Sequence, residues 1–280
     1  MNTYILYHGN CPDGFGAAWA AWKKLGDAAT YLPVQHDLPM PELEAGAQVY
    51  IVDFSYPADV LQPLSELMHS IIVLDHHKTA QEGLAGLPHL DELEAGQGNI
   101  GVLFDMEKSG AMLAWEYFHP NEPVSELIRY VQDKDLWQFK LPDSKAFSAG
   151  LSSYPFDFEF WDTLDIKQLK QEGHIILRMS NNLVERLMDR VYWRDLGGYH
   201  IPVVNSPFFG SDLGHTLCQR FPEAPFAASY SDKDANKRIW ELRSEGDFDV
   251  SAVAKQLGGG GHRNAAGFTE FLSSVTHTQD

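Results

Sequence analysis

The chain is short of cysteine and of positive charge, and each shortage narrows what it can be. Cys11 and Cys218 are its two cysteines in 280 residues, far apart and in no zinc-type spacing, so a disulfide framework is not expected and a reducing compartment fits. Against 39 Asp and Glu stand 21 Lys and Arg, a formal charge of -18. Such a surface is not built to grip long DNA or RNA, which needs many Lys and Arg contacts to phosphate. Long apolar runs are missing too. Nothing approaches the roughly 18 residues of a membrane span, and Met1-Asn2-Thr3 lacks a basic leader, so a cytoplasmic protein is expected with no membrane partner. No Ser/Gly or Pro-rich linker and no repeat divides the chain, yet its length favours two domains.

What is present begins with short apolar runs that end on acids and imidazoles. Tyr4-Ile5-Leu6-Tyr7 ends on His8 and leads into Asn10-Cys11-Pro12-Asp13-Gly14. Val49-Tyr50-Ile51-Val52 ends on Asp53, and Ile71-Ile72-Val73-Leu74 on Asp75-His76-His77. Helix-like segments follow at 16–25, 56–69 and 109–118, a βαβ pattern that predicts a parallel sheet over residues 1 to about 140. Ligands bind at the carboxyl ends of such strands, so three ends of this kind build one convergent site if the strands are neighbours. Trp19 and Trp22 are expected to pack the first helix on the sheet. Residues from about 145 to 195 read as helical. From Tyr199 the pattern changes to strands at 199–205, 226–230 and 238–243, and a helix over 249–257 capped by Asp249. The polar tail at 273–280 is expected to fray.

Imidazole and carboxylate together suit divalent ions of the manganese, iron or zinc class. His8, Asp13, Asp53, Asp75, His76 and Asp133 would serve a pair of them, and a pair can activate a bridging water for attack at phosphorus. Asp133 and Asp135, in Val131-Gln132-Asp133-Lys134-Asp135-Leu136-Trp137, compete for the fourth acidic position, and spacing does not decide between them. Gly96-Gln97-Gly98-Asn99-Ile100-Gly101 fits a dinucleotide fingerprint only in letters, because the acidic stretch before it is unlike a buried strand. Gly258 to Gly261 lack the Lys-Ser/Thr of a P-loop, but four glycines before His262 let backbone N–H groups approach an anion. His36, His69, His89, His119, His174, His200 and His215 stand in no ligand-like constellation and are read as surface or satisfied core residues.

The triplet Asp75-His76-His77 and the carboxyl-terminal Gly258-Gly259-Gly260-Gly261-His262-Arg263-Asn264-Ala265-Ala266-Gly267-Phe268 resemble the two signatures of the DHH phosphoesterase superfamily. The resemblance implies an α/β fold: a parallel-sheet DHH domain at 1–145, a helical connector at 146–196 and a smaller α/β DHH-associated domain at 197–280, with the active site in the cleft between the lobes. It implies two divalent ions, manganese foremost. Asp53 would bridge them, Asp13, His76 and Asp133 would complete one site, and His8 would serve the other. His77 would contact the reacting phosphate, and Asp75 would orient its neighbours. Gly259, Gly260, Gly261 and His262, with Arg243 assisting, would hold a substrate phosphate. The family motif places two Asp after the His; here Cys11 stands where the first belongs, one residue nearer, so the His8-side site loses a hard carboxylate and would be weaker, use the Cys11 thiolate, or fill only with substrate. The implied substrate is a small nucleotide or short oligonucleotide, with a homodimer compatible. Pyrophosphate or polyphosphate hydrolysis, or a non-catalytic nucleotide sensor, are the rival readings.

Overall fold

The computed structural model describes residues 1–36 and 38–272, so the expectation for the tail at 273–280 lies outside the described residues. The chain divides into two compact units, Met1–Leu177 and Arg178–Asp280. The first opens with β1 (Thr3–His8), α1 (Pro12–Leu25), β2 (Thr30–Val34), β3 (Gln48–Val52), α2 (Ala58–Leu67) and β4 (Ser70–Asp75). Two short helices, α3 (Lys78–Gly83) and α4 (Leu90–Glu94), lead to β5 (Ile100–Phe104) and α5 (Gly110–Phe118). Then come α6 (Glu126–Asp135), α7 (Ser144–Leu151), α8 (Phe158–Asp162) and α9 (Ile166–Leu187), the last running through the unit boundary.

All five strands pair in parallel, in the order β2-β1-β3-β4-β5. The three acid- and imidazole-ended strands are therefore direct neighbours, as the convergent-site argument required. Along β3 and β4, alternate residues enter opposite cores. Tyr50, Val52, Ile72 and Leu74 join the core of α1, α5 and α6, while Val49, Ile51, Ile71 and Val73 join Leu61 and Leu64 of α2. Ala17, Ala18, Ala20 and Ala21 are fully buried, which lets α1 run close against α5. Trp19 and Trp22 do pack α1, but on helices: Trp19 stacks on Trp115 of α5 at 5.8 Å and Trp22 on Phe158 of α8 at 5.7 Å. At one sheet edge β2 carries Pro33. At the other, Val102 of β5 donates its N–H to the Pro88 carbonyl, and His89 forms a parallel bridge with it.

The segment expected to be a connector is divided between the units. Phe147, Leu151, Trp161 and Leu169 are buried in the first unit's core, where side chains of this size each contribute about 1.5–3 kcal/mol. The second unit takes β6 (Tyr192–Leu196) as a strand of its own sheet. There β7 (Tyr199–Asn205), α10 (Gly210–Arg220), β8 (Ala227–Asp232), β9 (Lys237–Arg243), α11 (Val250–Gln256), β10 (Gly260–His262) and β11 (Ala265–Phe271) follow. Its six strands lie in the order β10-β11-β9-β8-β7-β6, parallel at β7–β8 and antiparallel elsewhere. Asp249 caps α11 as expected, accepting from Ser251 N at 3.0 Å.

A pair of glycines sets the crossing of α7 and α9. A Cβ on Gly150 would strike the Leu169 carbonyl oxygen, and one on Gly173 would strike the Ala146 carbonyl oxygen. Both obstacles are backbone, so neither can swing aside. Gly173→Ala should therefore destabilise the protein by about 1–3 kcal/mol, the cost of overpacking. A lowered urea midpoint with unchanged slope reads this loss, and an unchanged midpoint would show that the helices separate freely.

Candidate metal centre

The site grows from the carboxyl ends of β1, β3 and β4. Asp53 follows β3 and adopts φ 55°, a left-handed conformation uncommon for a residue with a Cβ. Its N–H donates to the Leu74 carbonyl of β4, which fixes the turn. The turn sends the two carboxylate oxygens different ways. His76 Nε2 lies 3.0 Å from Oδ1, whereas Oδ2 lies 3.4 Å from His8 Nδ1 without completing a hydrogen bond. Gly110 opens α5 directly beside it, where a Cβ would stand 2.7 Å from Asp53 Oδ1.

Asp13, in the first turn of α1, completes the His76 side. Its Oδ2 accepts from Gly110 N at 2.6 Å and its Oδ1 from Ala111 N at 3.0 Å, so a buried carboxylate caps the N-terminus of α5. The same Oδ2 is 3.5 Å from His76 Nε2, and Asp135 Oδ2 is 3.6 Å from it. Two donor sets result, each with ligand atoms within 4.8 Å of one another: His8, Cys11 and Asp53, and Asp13, His76 and Asp135. One oxygen of Asp53 faces each.

Asp75 holds the triplet in place and is fully buried. Its Oδ2 accepts from Ser55 Oγ at 2.6 Å, while its Oδ1 accepts from His76 N at 2.7 Å and His77 N at 3.3 Å. His77 Nδ1 donates to the same oxygen at 2.7 Å, which fixes the ring's tautomer and direction.

These groups perturb one another strongly. Burial pushes the Asp13 carboxyl well above the usual range, helped by the charges of Asp135 and Asp53. Burial likewise raises Asp135. For Asp53 burial acts in the same sense, but the His76 hydrogen bond outweighs it and holds the carboxyl well below its ordinary value. On His76 burial opposes the charge, and the bond to Asp53 with the fields of Asp135, Asp53 and Asp13 overcomes it, lifting the ring to about 10. Burial also opposes the charge on His77, and Asp75 overcomes it. Cys11 stays a thiol, because burial and the charges of Asp53, Asp13 and Asp135 push it well up.

Whether cations fit can be judged from the atoms left over. Asp53 Oδ2, Asp135 Oδ2 and His8 Nδ1 are buried without a hydrogen-bond partner among the described residues. An uncompensated buried carboxylate oxygen is costly, and three acids around one imidazole leave an excess of negative charge. Divalent cations satisfy both demands, so this donor set fits them. Two such ions would be held through His8, Cys11 and Asp53 on one side and Asp13, Asp53, His76 and Asp135 on the other.

The structure gathers His8, Cys11, Asp13, Asp53, Asp75, His76 and His77 as the strand ends suggested, but Asp133 is placed elsewhere. Its carboxylate accepts from Lys140 N at 2.8 Å and Leu141 N at 3.1 Å, anchoring the loop after α6. Two residues further along the same helix, Asp135 faces His76 instead. Sequence reasoning passed over Ser55 and Gly110, and it read His36 as outside any ligand-like group, whereas the His36 ring is 6.3 Å from His8 and 4.4 Å from Phe54. His119 is a satisfied core residue as read, with Nε2 2.9 Å from the Ala20 carbonyl. In the second unit the glycine run is ordered structure: Gly258, at φ 84°, follows α11, and β10 then pairs with β11. Register places His262, Ala265 and Arg243 on one row across β10, β11 and β9, and Arg243 Nη2 donates to Ser211 Oγ at 2.7 Å.

The fold and cluster define an α/β protein with a candidate divalent-metal centre, and comparisons narrow the class. No family model matches the chain. It is 34% identical over 288 residues to the uncharacterized protein R106 of Acanthamoeba polyphaga mimivirus, covering 94% of this chain and 66% of that protein. It is 24% identical over 246 residues to the oligoribonuclease NrnB of Bacillus subtilis, covering 78% and 58%. This chain thus spans less than two thirds of the length of either relative. Its fold is similar to that of the pGpG-specific phosphodiesterase PggH of Vibrio cholerae, with a TM-score of 0.50 at 11% identity, covering 97% of this chain and 94% of that one. The likeness to PggH is one of fold, and the Asp75-His76-His77 triplet that resembles the DHH signature stands at the carboxyl end of β4.

A proton on His76 at neutral pH competes with any cation for the ring nitrogen. Because its pKa in the folded protein is raised to about 10, the proton is present through neutrality and is lost only as pH rises toward that value. Manganese should therefore bind more tightly at pH 9 than at pH 6 and release about one proton or more per protein at pH 7. Calorimetry in two buffers of different ionisation enthalpy counts the protons; none released would remove His76 from the ligand set.

Proposed function

We propose that this chain is a divalent-metal-dependent phosphoesterase that hydrolyses phosphoester bonds of small nucleotides or short oligonucleotides. The observation that carries the reading is the Asp53 carboxylate, which turns one buried oxygen toward each of two donor sets. Bound there, a pair of divalent ions, manganese foremost, supplies an activated water and offsets charge at phosphorus.

The chain's own residues do the rest. Asp53, Asp13, His76, Asp135, His8 and Cys11 hold the ions in this proposal, Asp135 replacing Asp133 because of where the two carboxylates lie. Asp75 orients the His77 ring and raises its proton affinity, so that His77 would contact a phosphate oxygen whose charge grows during attack. Asp13 ties α5 to the site, so the helix N-terminus and the carboxylate are set together. In the second unit, His262, Arg243 and the backbone of Gly259, Gly260 and Gly261 hold a substrate phosphate.

Two further facts support a short substrate. The formal charge of -18 disfavours a long polyanion, and the relative NrnB is named for action on oligoribonucleotides. Among the described residues no helix is long and apolar enough to cross a membrane. The full reading is a cytoplasmic enzyme.

The test is turnover by purified protein with manganese on short oligonucleotides, cyclic dinucleotides, bisphosphorylated nucleosides and pyrophosphate. Short nucleotide substrates should be hydrolysed fastest, and Asp53→Asn should lower kcat/KM on the order of 1000-fold or more without lowering Tm. Faster turnover of pyrophosphate would favour the rival hydrolase, and near-normal activity of the variant would remove Asp53 from its bridging place.

A further inference from the structure

The two halves of the metal centre are built from different donors. Around His76 stand three carboxylates, those of Asp13, Asp53 and Asp135, with one imidazole among them. Around the other oxygen of Asp53 stand the His8 imidazole and the Cys11 thiol, the three ligand atoms within 4.8 Å of one another. Carboxylate oxygens suit manganese and magnesium, whereas sulfur together with imidazole suits zinc.

The backbone fixes Cys11 in this place. β1 ends at His8, Gly9 N–H donates to the Val34 carbonyl of β2 at 2.9 Å, and Asn10 takes φ 60°. Asparagine tolerates that left-handed conformation, and it turns the chain into α1 within two residues. Cys11 is then the N-cap of α1, its carbonyl accepting from Phe15 N at 2.9 Å. The first turn of the helix lies so close to the strand end that a Cβ on Gly14 would strike the His8 carbonyl.

The atoms left over on this side call for a cation. Asp53 is 1% exposed, and its Oδ2 lies 3.4 Å from His8 Nδ1, with neither atom completing a hydrogen bond among the described residues. Bonds of about 2.0–2.3 Å to a tetrahedral ion place its donors about 3.3–3.8 Å apart, so this pair already has the separation of two ligands on one cation. Three protein donors and one open position are the make-up of a zinc site that works on a substrate.

We propose that His8, Cys11 and the Oδ2 oxygen of Asp53 hold a thiophilic divalent ion of the zinc class, so that the two halves of the centre select different metals. This rests on the metal-dependent reading given under Proposed function and deepens it, assigning Cys11 as the residue that sets which ion the His8 side accepts. The neutral Cys11 thiol gives its proton to solvent as the sulfur–metal bond forms, because a dication beside it reverses the field that favours S–H. Harder ions gain less from that exchange and keep to the carboxylate-rich half.

Cobalt(II) serves as the probe, since it replaces zinc in such sites and sulfur bound to it gives a near-ultraviolet charge-transfer band. The whole chain, stripped of metal, is titrated with cobalt as wild type, Cys11→Ser, Cys11→Asp and Cys218→Ser. Cys218, whose Sγ donates to the Arg243 carbonyl in the second unit, is the control. The band should grow to one equivalent of cobalt in wild type, persist in Cys218→Ser and vanish in both Cys11 variants. One equivalent of zinc, but not of manganese, should abolish it. Loss of an outer partner of a ligand lowers metal affinity about 10- to 100-fold, so removal of the sulfur itself should lower zinc affinity about 100-fold or more in Cys11→Ser. Cys11→Asp should keep or raise manganese affinity. Cobalt bound without the band, a band that survives Cys11→Ser, or an unchanged zinc affinity would overturn the assignment and leave the metal-dependent reading standing. A band in a wild type that turns over no phosphoester with zinc, manganese or both would instead refute the enzymatic reading and leave Cys11 a ligand.

Discussion

Carboxylates that repel one another have to be held together out of water, and Asp53 is where that difficulty concentrates. It sits between His8 and His76, close enough to Asp13 and Asp135 that its charge adds to burial in raising the proton affinity of both. A parallel sheet solves part of the problem by delivering three strand ends to one place. The left-handed turn at Asp53 solves another part by sending its oxygens apart. Asp75 solves the remainder, accepting from four donors so that both imidazoles of the triplet keep their orientation. The strain and the buried charge make sense together as a receptacle for cations.

Close approach of backbone to these side chains is what the glycines of the first unit permit. A Cβ on Gly14 would strike the His8 carbonyl, and one on Gly110 would strike Asp53. Both lie at helix starts that face the acids, where N–H groups lend partial positive charge. Asp13 uses this directly on α5. Cys11 brings a different element to the same wall: a thiol kept neutral by its acidic surroundings, which only a bound cation would ionise.

Much of this was legible in the sequence because strand periodicity and chemistry coincide at the same residues. Apolar runs ending on His8, Asp53 and Asp75 located three strands and the acids and imidazoles that cluster at their ends. The choice between Asp133 and Asp135 was not legible. Two residues apart on a helix, they point to nearly opposite faces, and only the loop that Asp133 anchors decides which face turns inward. That loop depends on left-handed aromatics, Trp137 and Phe139, which no propensity anticipates. Strands β2 and β5 were also missed, the first because Pro33 interrupts it and the second because a glycine-rich acidic stretch precedes Ile100. The segment read as a connector shows a related limit. Helical pattern shows that a segment is helix, but the burial of Trp161 and Phe147 decides where it belongs.

The two margins of the first sheet have a bearing on how copies of this chain can associate. Exposed edge strands invite strand-by-strand annexation, the route to aggregates and to continuous intermolecular sheets. Here Pro33 withdraws a backbone donor from β2, and Pro88-His89 lies along β5 and occupies Val102. Neither margin offers a full ladder to a stranger. Strand-by-strand association of this unit is thereby disfavoured relative to contact through side-chain surfaces, so the sheet that carries the acids is a poor template for amyloid-like growth.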